Sequence, residues 1–341
     1  MVNFLRVSSR KKVAVNIGTM AFAVSLNTLS NTFYSKNMTS YEYDDIREFQ
    51  KVVEVALEVQ GQFNVTDLFP VLKWFDLQKV WRRAKVAFVW LEEKIEGCVN
   101  ERIKCRDLGM KRFGDVLDLM LDYSHDNEVE FSHEHINTLL VDVLVAGTNT
   151  ITSTTTWIMS ELLLNPHMFT RVREEVSEIV GEDGKLEEDK TFNLPYLHAV
   201  IKETMRLQAG SPLLAPHITQ TEVKIKNYVI PRNTQLLVNA WAMSRDERYW
   251  DKPTVFMPER FLNNKVDYKE QNFEFLPFGS GRRKCPGMPL AERMLSLIVA
   301  AFVYYFDWEL PYTREELDMS HIYGPALLKA TPLIATPIPF K

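Results

Sequence analysis

Apolar residues recur at helical spacing along most of the chain, and alternating, strand-like runs are short. Val13–Leu29 carries an apolar stripe, and Tyr43–Val59 sets Ile46, Phe49, Val52, Val53 and Ala56 among charges, so residues 1–60 read as helices. Asn64–Trp74, with Pro70 and several aromatics, reads as a connection, followed by a long charged helix from about Asp76 to Arg106. Phe113–Tyr123 is amphipathic, and Ser132 opens a helix that continues to about Leu164, far beyond the average of about 11–12 residues. Arg171–Val180 and Leu194–Gln208 are helical, with a turn at Gly181-Glu182-Asp183-Gly184 between them. The pattern then changes: Ser211-Pro212-Leu213-Leu214-Ala215-Pro216-His217 is extended, because a residue before proline avoids the helical region, and strands are predicted at Glu222–Tyr228 and Gln235–Asn239. Met288–Phe306 returns to helix, and Ile322–Leu327 forms a last strand and turn. The predicted fold is mainly α with small β-sheets.

The middle of the long helix is odd on propensity grounds. Gly147, Thr148, Thr150, Thr152, Thr154, Thr155 and Thr156 are poor helix formers. Threonine hydroxyls that bond to carbonyls one turn earlier would loosen the helix and open a groove. A weak or strand-like segment is the alternative.

The richest chemistry lies in Phe278-Gly279-Ser280-Gly281-Arg282-Arg283-Lys284-Cys285-Pro286-Gly287, a glycine-rich loop that delivers one cysteine and then enters an apolar helix. Gly279 and Gly281 permit positive φ and close backbone approach, so the loop can aim N–H groups at a sulfur. A helix beginning near Pro286 would set its positive end beside that sulfur and favour thiolate over thiol. The plainer alternative is a free cysteine beside a flexible loop. A thiolate placed this way is a ligand for iron, and the fixed positions Phe278, Gly279, Gly281, Arg283, Cys285 and Gly287 resemble the haem-binding signature of the cytochrome P-450 monooxygenases.

That resemblance extends along the chain. Ala146-Gly147-Thr148-Asn149-Thr150 is similar to the family's motif on the helix crossing the distal haem face. It implies that Ala146 and Gly147 lie against the porphyrin, that Thr150 hydrogen-bonds iron-bound dioxygen, and that position 149 helps deliver protons. Asn149 stands where the family usually has a carboxylate, and an amide orients water but does not ionise. Glu203 and Arg206 share a helix face at i,i+3. Followed by Pro258-Glu259-Arg260-Phe261 and then the cysteine loop, they resemble the family's buried Glu–Arg–Arg support, which makes Glu203, Arg206 and Arg260 structural props of the haem site. Arg283 and His217 are implied to meet haem propionates, Phe278 to shield the sulfur, and Val143, Leu144, Leu213, Leu214 and Tyr323 to line an apolar pocket. Trp81-Arg82-Arg83 tempts a propionate reading but lies too close upstream of the distal helix to match.

The resemblance implies haem b with an axial thiolate from Cys285, O2 and a small hydrophobic substrate, and an NADPH-dependent reductase as electron donor. Arg282 and Lys284 would dock the reductase. It covers 1–341 as one domain and resembles the plant microsomal branch, in the group that hydroxylates monoterpene alcohols and diterpenes. Full-length relatives sit on the cytosolic face of the endoplasmic reticulum. Their anchor, hinge, first sheet and first helices have no counterpart here, so a truncated, catalytically silent haem- or partner-binding remnant is the rival expectation.

Composition narrows the rest. With 46% hydrophobic residues in 341, the core is ample, and a net charge of −5 without a basic, aromatic-laced block argues against nucleic acid. Cys98, Cys105 and Cys285 are too few for a disulfide framework and suggest a reducing compartment. His133-Glu134-His135 alternates rather than taking metal-binding i,i+4 spacing and reads as a solvated helix start. Residues 13–29 are too polar, and Leu295–Phe306 too short, to span a bilayer, so no anchor or signal peptide is predicted.

Overall fold

A computed structural model describes all residues except 128–129, 182–183, 263–264, 270–271 and 341. The chain separates into two compact units, Met1–Thr152 and Ser153–Lys341. The first holds helices α1 (Val2–Arg10), α2 (Ile17–Tyr34), α3 (Tyr43–Gly61), α4 (Val65–Leu68), α5 (Val80–Asp107) and α6 (Val116–Asp126), the two-residue strand β1 (Val15–Asn16), and the start of α7 (His133–Leu164). α2 is buried on nearly every side and packs against α3 and α6, while α3 lies along α5.

In the second unit α7 ends and α8 (Pro166–Val180), α9 (Pro195–Leu207), α10 (Ala240–Met243) and α11 (Met288–Tyr305) follow. α11 packs on α8 and α9 around a core that includes Met205, Leu295, Val299 and Phe302. The sheets are small antiparallel pairs. β2 (His217–Ile218) pairs with β5 (Gln235–Leu236), β3 (Val223–Ile225) with β4 (Tyr228–Ile230), β6 (Phe306–Glu309) with β9 (Ile334–Pro339), and β7 (His321–Ile322) with β8 (Leu328–Lys329).

The mainly helical expectation holds, and the boundary differences have local causes. α2 starts late because Asn16 caps it, its side chain accepting from Thr19 N–H at 3.2 Å, and it runs on to Tyr34. α5 starts at Val80 because Asp76 and Lys79 take left-handed φ of 42° and 56°, and the Asp76 carboxylate accepts from the Trp81 and Arg82 N–H groups. Gly114 at φ +73° and the cap Asp115 delay α6 to Val116. The connection at 64–74 contains α4 and a 3-10 turn, Pro70–Phe75. α8 begins at Pro166, where proline suits a first turn, rather than at Arg171. The single strand expected over Glu222–Tyr228 is a hairpin that turns at Lys226, φ 52°. The strand expected to reach Asn239 stops at Leu236, and the Asn239 side chain caps α10 instead, accepting from Ala242 N–H at 2.9 Å. Of the expected turn at 181–184, Glu182 and Asp183 lie outside the described residues, while Gly181 and Gly184 have positive φ.

The length expected of the apolar stretch in α11 was too short. The helix has 18 residues and is long and apolar enough to cross a membrane by length and composition alone, yet 56% of it is buried inside the protein.

Candidate functional site

The cysteine loop is built as a tight double turn. Gly279 and Gly281 both have φ of +68°, a region that costs other residues roughly 1–2 kcal/mol. Cys285 N–H donates to the Phe278 carbonyl at 2.9 Å, and Lys284 N–H to Gly281 at 3.1 Å, so the loop closes on itself just before the sulfur. Cys285 is exposed. A Cβ on Gly287 would sit 3.8 Å from its Sγ, so the glycine keeps one side of the sulfur open. α11 begins at Met288 rather than near Pro286, with Gly287 as its cap, which leaves the sulfur one turn outside the helix. Phe278 is half-buried and packs edge-on against Tyr268, ring centroids 5.0 Å apart.

Arg282 and Arg283 are exposed and have no ion-pair partner among the described residues. Lys284 differs: its Nζ donates to the Tyr268 carbonyl at 2.7 Å and is committed to holding the loop. That contact was invisible in the sequence, where Lys284 stood with Arg282 as a surface charge.

The end of α9 carries a buried ion pair that a half-buried arginine joins. Arg206 and Glu203 are both 0% exposed, and Arg206 Nε and Nη2 donate to the two Glu203 carboxylate oxygens at 2.7 and 2.8 Å. Arg260 Nε donates to Glu203 Oε1 at 3.1 Å, and Met257 N–H to the same oxygen at 2.8 Å. Arg206 Nη1 also donates to the Ser244 and Pro253 carbonyls, both at 2.7 Å, and its guanidinium lies 5.1 Å from the Trp250 ring. Every acceptor on Glu203 is used, which is the condition for a buried charge cluster to be stable.

The extended segment 211–217 comes to this loop through Leu214, whose Cδ1 lies 3.9 Å from where a Gly279 Cβ would be; Leu214 takes a φ of 52°. Leu213 is exposed, and His217 is exposed in β2 opposite Leu236. Tyr323 is 70% exposed at the β7–β8 turn.

In the first unit α7 exposes Ala146 and Thr150, with Val143 and Gly147 half-buried beside them, while Leu144 is buried. The threonine hydroxyls do bond backward, Thr148 to Leu144, Thr150 to Ala146 and Thr152 to Thr148 at 2.7–2.8 Å. They do not loosen the helix, which is continuous over all 32 residues. Gly147 has a packing role that the pattern did not reveal: a Cβ there would come within 2.8 Å of Leu29 Cδ1. Asn149 is 5% exposed and its Nδ2 has no hydrogen-bond partner among the described residues, an orphaned donor beside Thr150. At the start of the same helix His135 Nδ1 accepts from Ser132 N–H at 3.0 Å, a capping contact.

One buried acid also escaped the sequence reading. Glu161 is 5% exposed near the end of α7, and burial pushes its carboxyl up to about 7, with Gln208 Nε2 donating to it at 3.2 Å. Its signal was a lone acid between Trp157-Ile158-Met159 and Leu162-Leu163-Leu164.

Within the second unit, an exposed cysteine on a two-glycine turn, neighbouring arginines without an ion-pair partner among the described residues and a buried ion-pair support fit a thiolate-ligated haem. Comparison with known proteins agrees. The family profile described as cytochrome P450 matches residues 1–335. Ferruginol synthase of Isodon rubescens is 40% identical over 328 residues, covering 95% of this chain and 67% of that protein. Geraniol 8-hydroxylase of Swertia mussotii is 38% identical over 343 residues, covering 99% and 69%. 7-Ethoxycoumarin O-deethylase of Helianthus tuberosus is 38% identical over 345 residues, covering 100% and 69%. The chain thus spans about two thirds of the length of these relatives.

Proposed function

The chain belongs to the cytochrome P450 family, and on that premise we propose that it is a haem-thiolate monooxygenase. It inserts one oxygen atom from O2 into a small hydrophobic, terpenoid-like substrate, taking electrons from an NADPH-dependent reductase. The observation that carries this reading is the exposed Cys285 sulfur at the end of a loop closed by its own backbone hydrogen bonds.

Haem b, when bound, supplies the activation of O2. The chain's residues supply the setting. Cys285 Sγ would be the thiolate that holds the iron, and Phe278, packed edge-on against Tyr268, would shield the sulfur once the haem is bound. Arg283 and His217 hold propionates by charge-assisted hydrogen bonds. Glu203, Arg206 and Arg260 keep the preceding segment from moving. Thr150 donates its own hydroxyl proton to the Ala146 carbonyl, so its Oγ1 acts toward a proton donor as an acceptor. Asn149 Nδ2, lacking a partner, holds an ordered water that passes the proton on. In the second unit Leu213, Leu214 and Tyr323 meet the substrate. Arg282, exposed and unpaired, is the better docking residue for an acidic reductase surface, since Lys284 is spent on Tyr268. The similarity to a geraniol 8-hydroxylase and a ferruginol synthase supports the substrate class. The cytosolic face of the endoplasmic reticulum is the compartment proposed, on the resemblance alone.

Reduced-minus-carbonyl difference spectroscopy tests the assignment. The wild type is expected to take up haem and show the red-shifted band of a thiolate-ligated carbonyl complex, and Cys285→Ala to lose that band while keeping its far-ultraviolet circular dichroism. A variant that keeps the band would exclude Cys285 as ligand, and a wild type that takes up no haem would favour an inactive remnant.

A further inference from the structure

The turn between β7 and β8, Tyr323–Leu327, is fixed by a device that no pattern in the sequence announced. The Leu327 carbonyl accepts two hydrogen bonds, from Ser153 Oγ at 2.8 Å and from Trp157 Nε1 at 3.1 Å. The two donors are one helical turn apart on α7, and Leu327 itself is fully buried. The same peptide is held from the other side, where Leu327 N–H donates to the Gly210 carbonyl at 3.3 Å. Gly210 leads directly into Leu213 and Leu214, so one peptide unit ties α7, the segment 210–214 and the hairpin turn together.

The Trp157 indole is also the seat of the hairpin's base. His321 and Lys329 stand opposite each other across the two strands. The His321 ring lies 4.8 Å from the indole, tilted by 34°, and the Lys329 ammonium lies 5.8 Å from it. His321 Nε2 shares a 2.6 Å hydrogen bond with Gln208 Oε1, which attaches the same strand to the end of α9. Such anchoring is needed, because the β7–β8 ladder is only two residue pairs long and an isolated two-stranded hairpin is marginal in water. Left to itself the turn would sample many positions. Of its side chains only Leu327 is buried; residues 323–325 are exposed, and the Tyr323 ring lies 6.0 Å from that of His321.

We propose that Ser153 and Trp157 are specificity-determining positioning residues, which fix the Leu327 carbonyl and thereby the spacing between the turn 323–326 and Leu213–Leu214. The inference rests on the reading that these two segments meet the substrate. Both side chains are buried and neither touches the substrate; they act through one backbone oxygen. Their loss should therefore alter which hydrophobic molecule is preferred without altering the haem ligand.

The test uses the full haem-loaded chain with Ser153→Ala, Trp157→Phe and Ser153→Thr. Phenylalanine keeps the ring but not the N–H, and threonine keeps the hydroxyl. Three quantities are read: the carbonyl band, hydrogen exchange at the backbone amides of 321–330, and dissociation constants for geraniol and 7-ethoxycoumarin by equilibrium dialysis. Each deletion removes one hydrogen bond, so exchange at Leu327–Lys329 should quicken roughly tenfold, the ratio of the two dissociation constants should move by about threefold or more, and the band should stay. Ser153→Thr should restore both values. Unchanged exchange in both deletions would overturn the inference, and so would faster exchange with an unmoved ratio. A wild type with no carbonyl band that binds neither probe would sink the proposed function and this inference with it. With band and binding intact, an unmoved ratio removes the inference alone.

Discussion

Glu161→Gln should raise stability at pH 8 and leave it nearly unchanged at pH 5. The carboxyl is 5% exposed, and burial, the dominant cause, lifts it from an ordinary 4.5 to about 7. The Gln208 amide opposes that rise and the nearby Glu203 charge adds to it. Because the folded value lies above the unfolded one, the folded state holds the extra proton between about pH 4.5 and 7. Stability from this group is thus complete below pH 4.5 and is lost as the pH climbs through 7. About 2.5 pH units, from 7 − 4.5, at about 1.36 kcal/mol each gives a cost on the order of 3 kcal/mol above neutrality. Glutamine removes the ionisation and keeps an oxygen for Gln208 Nε2, but its own N–H2 adds an unmatched donor costing about 1 kcal/mol. The net gain at pH 8 is therefore about 2 kcal/mol. Urea unfolding of both proteins at pH 5 and pH 8, followed by tryptophan fluorescence, measures the difference. A Glu161→Gln effect of equal size at both pH values would refute a carboxyl that titrates near neutrality.

Gly147→Ala replaces a poor helix former, which alone would add about 1 kcal/mol, but its Cβ would sit 2.8 Å from Leu29 Cδ1 in a packed site. Overpacking of that kind costs about 1–3 kcal/mol, so a net loss of about 1 kcal/mol in denaturant titrations is expected, recovered when Leu29→Val makes room; stabilisation by the single change would show that the contact is loose. Thr150→Ala should leave the carbonyl band intact while a larger share of NADPH electrons appears as free hydrogen peroxide. Asn149→Asp should shift electrons from peroxide to product if an ionising group is what position 149 lacks, and equal peroxide yields in wild type and both variants would remove the two residues from proton delivery.

The parts of this protein that the sequence disclosed are those in which a side chain meets a side chain at fixed spacing. Glu203 and Arg206, three apart on a predicted helix, could be paired on that spacing alone, and their salt bridge at 2.7 Å is what it allows. What the spacing did not disclose is why Arg206 needs no further charge. Its remaining donors end on the carbonyls of Ser244, Pro253 and Val255, and carbonyl oxygens are the same whatever residue carries them. The same holds for Lys284, which reads as a surface charge until the Tyr268 carbonyl accounts for it, and for Ser153 and Trp157, which look like filler in a threonine-rich helix until both meet the Leu327 carbonyl. Helix starts went astray for a related reason: Asp76 and Lys79 hold left-handed φ values set by a local turn, not by apolar periodicity. Hidden features of this kind have a common consequence for mutation. Replacing the residue that offers only its carbonyl, such as Leu327→Met, leaves the donor network intact, whereas replacing the donor leaves a buried acceptor short of a partner, at about 1–3 kcal/mol. Sequence tolerance and structural importance therefore part company at these turns, and the donors Ser153, Trp157, Arg206 and Lys284 are the positions where substitution should cost more.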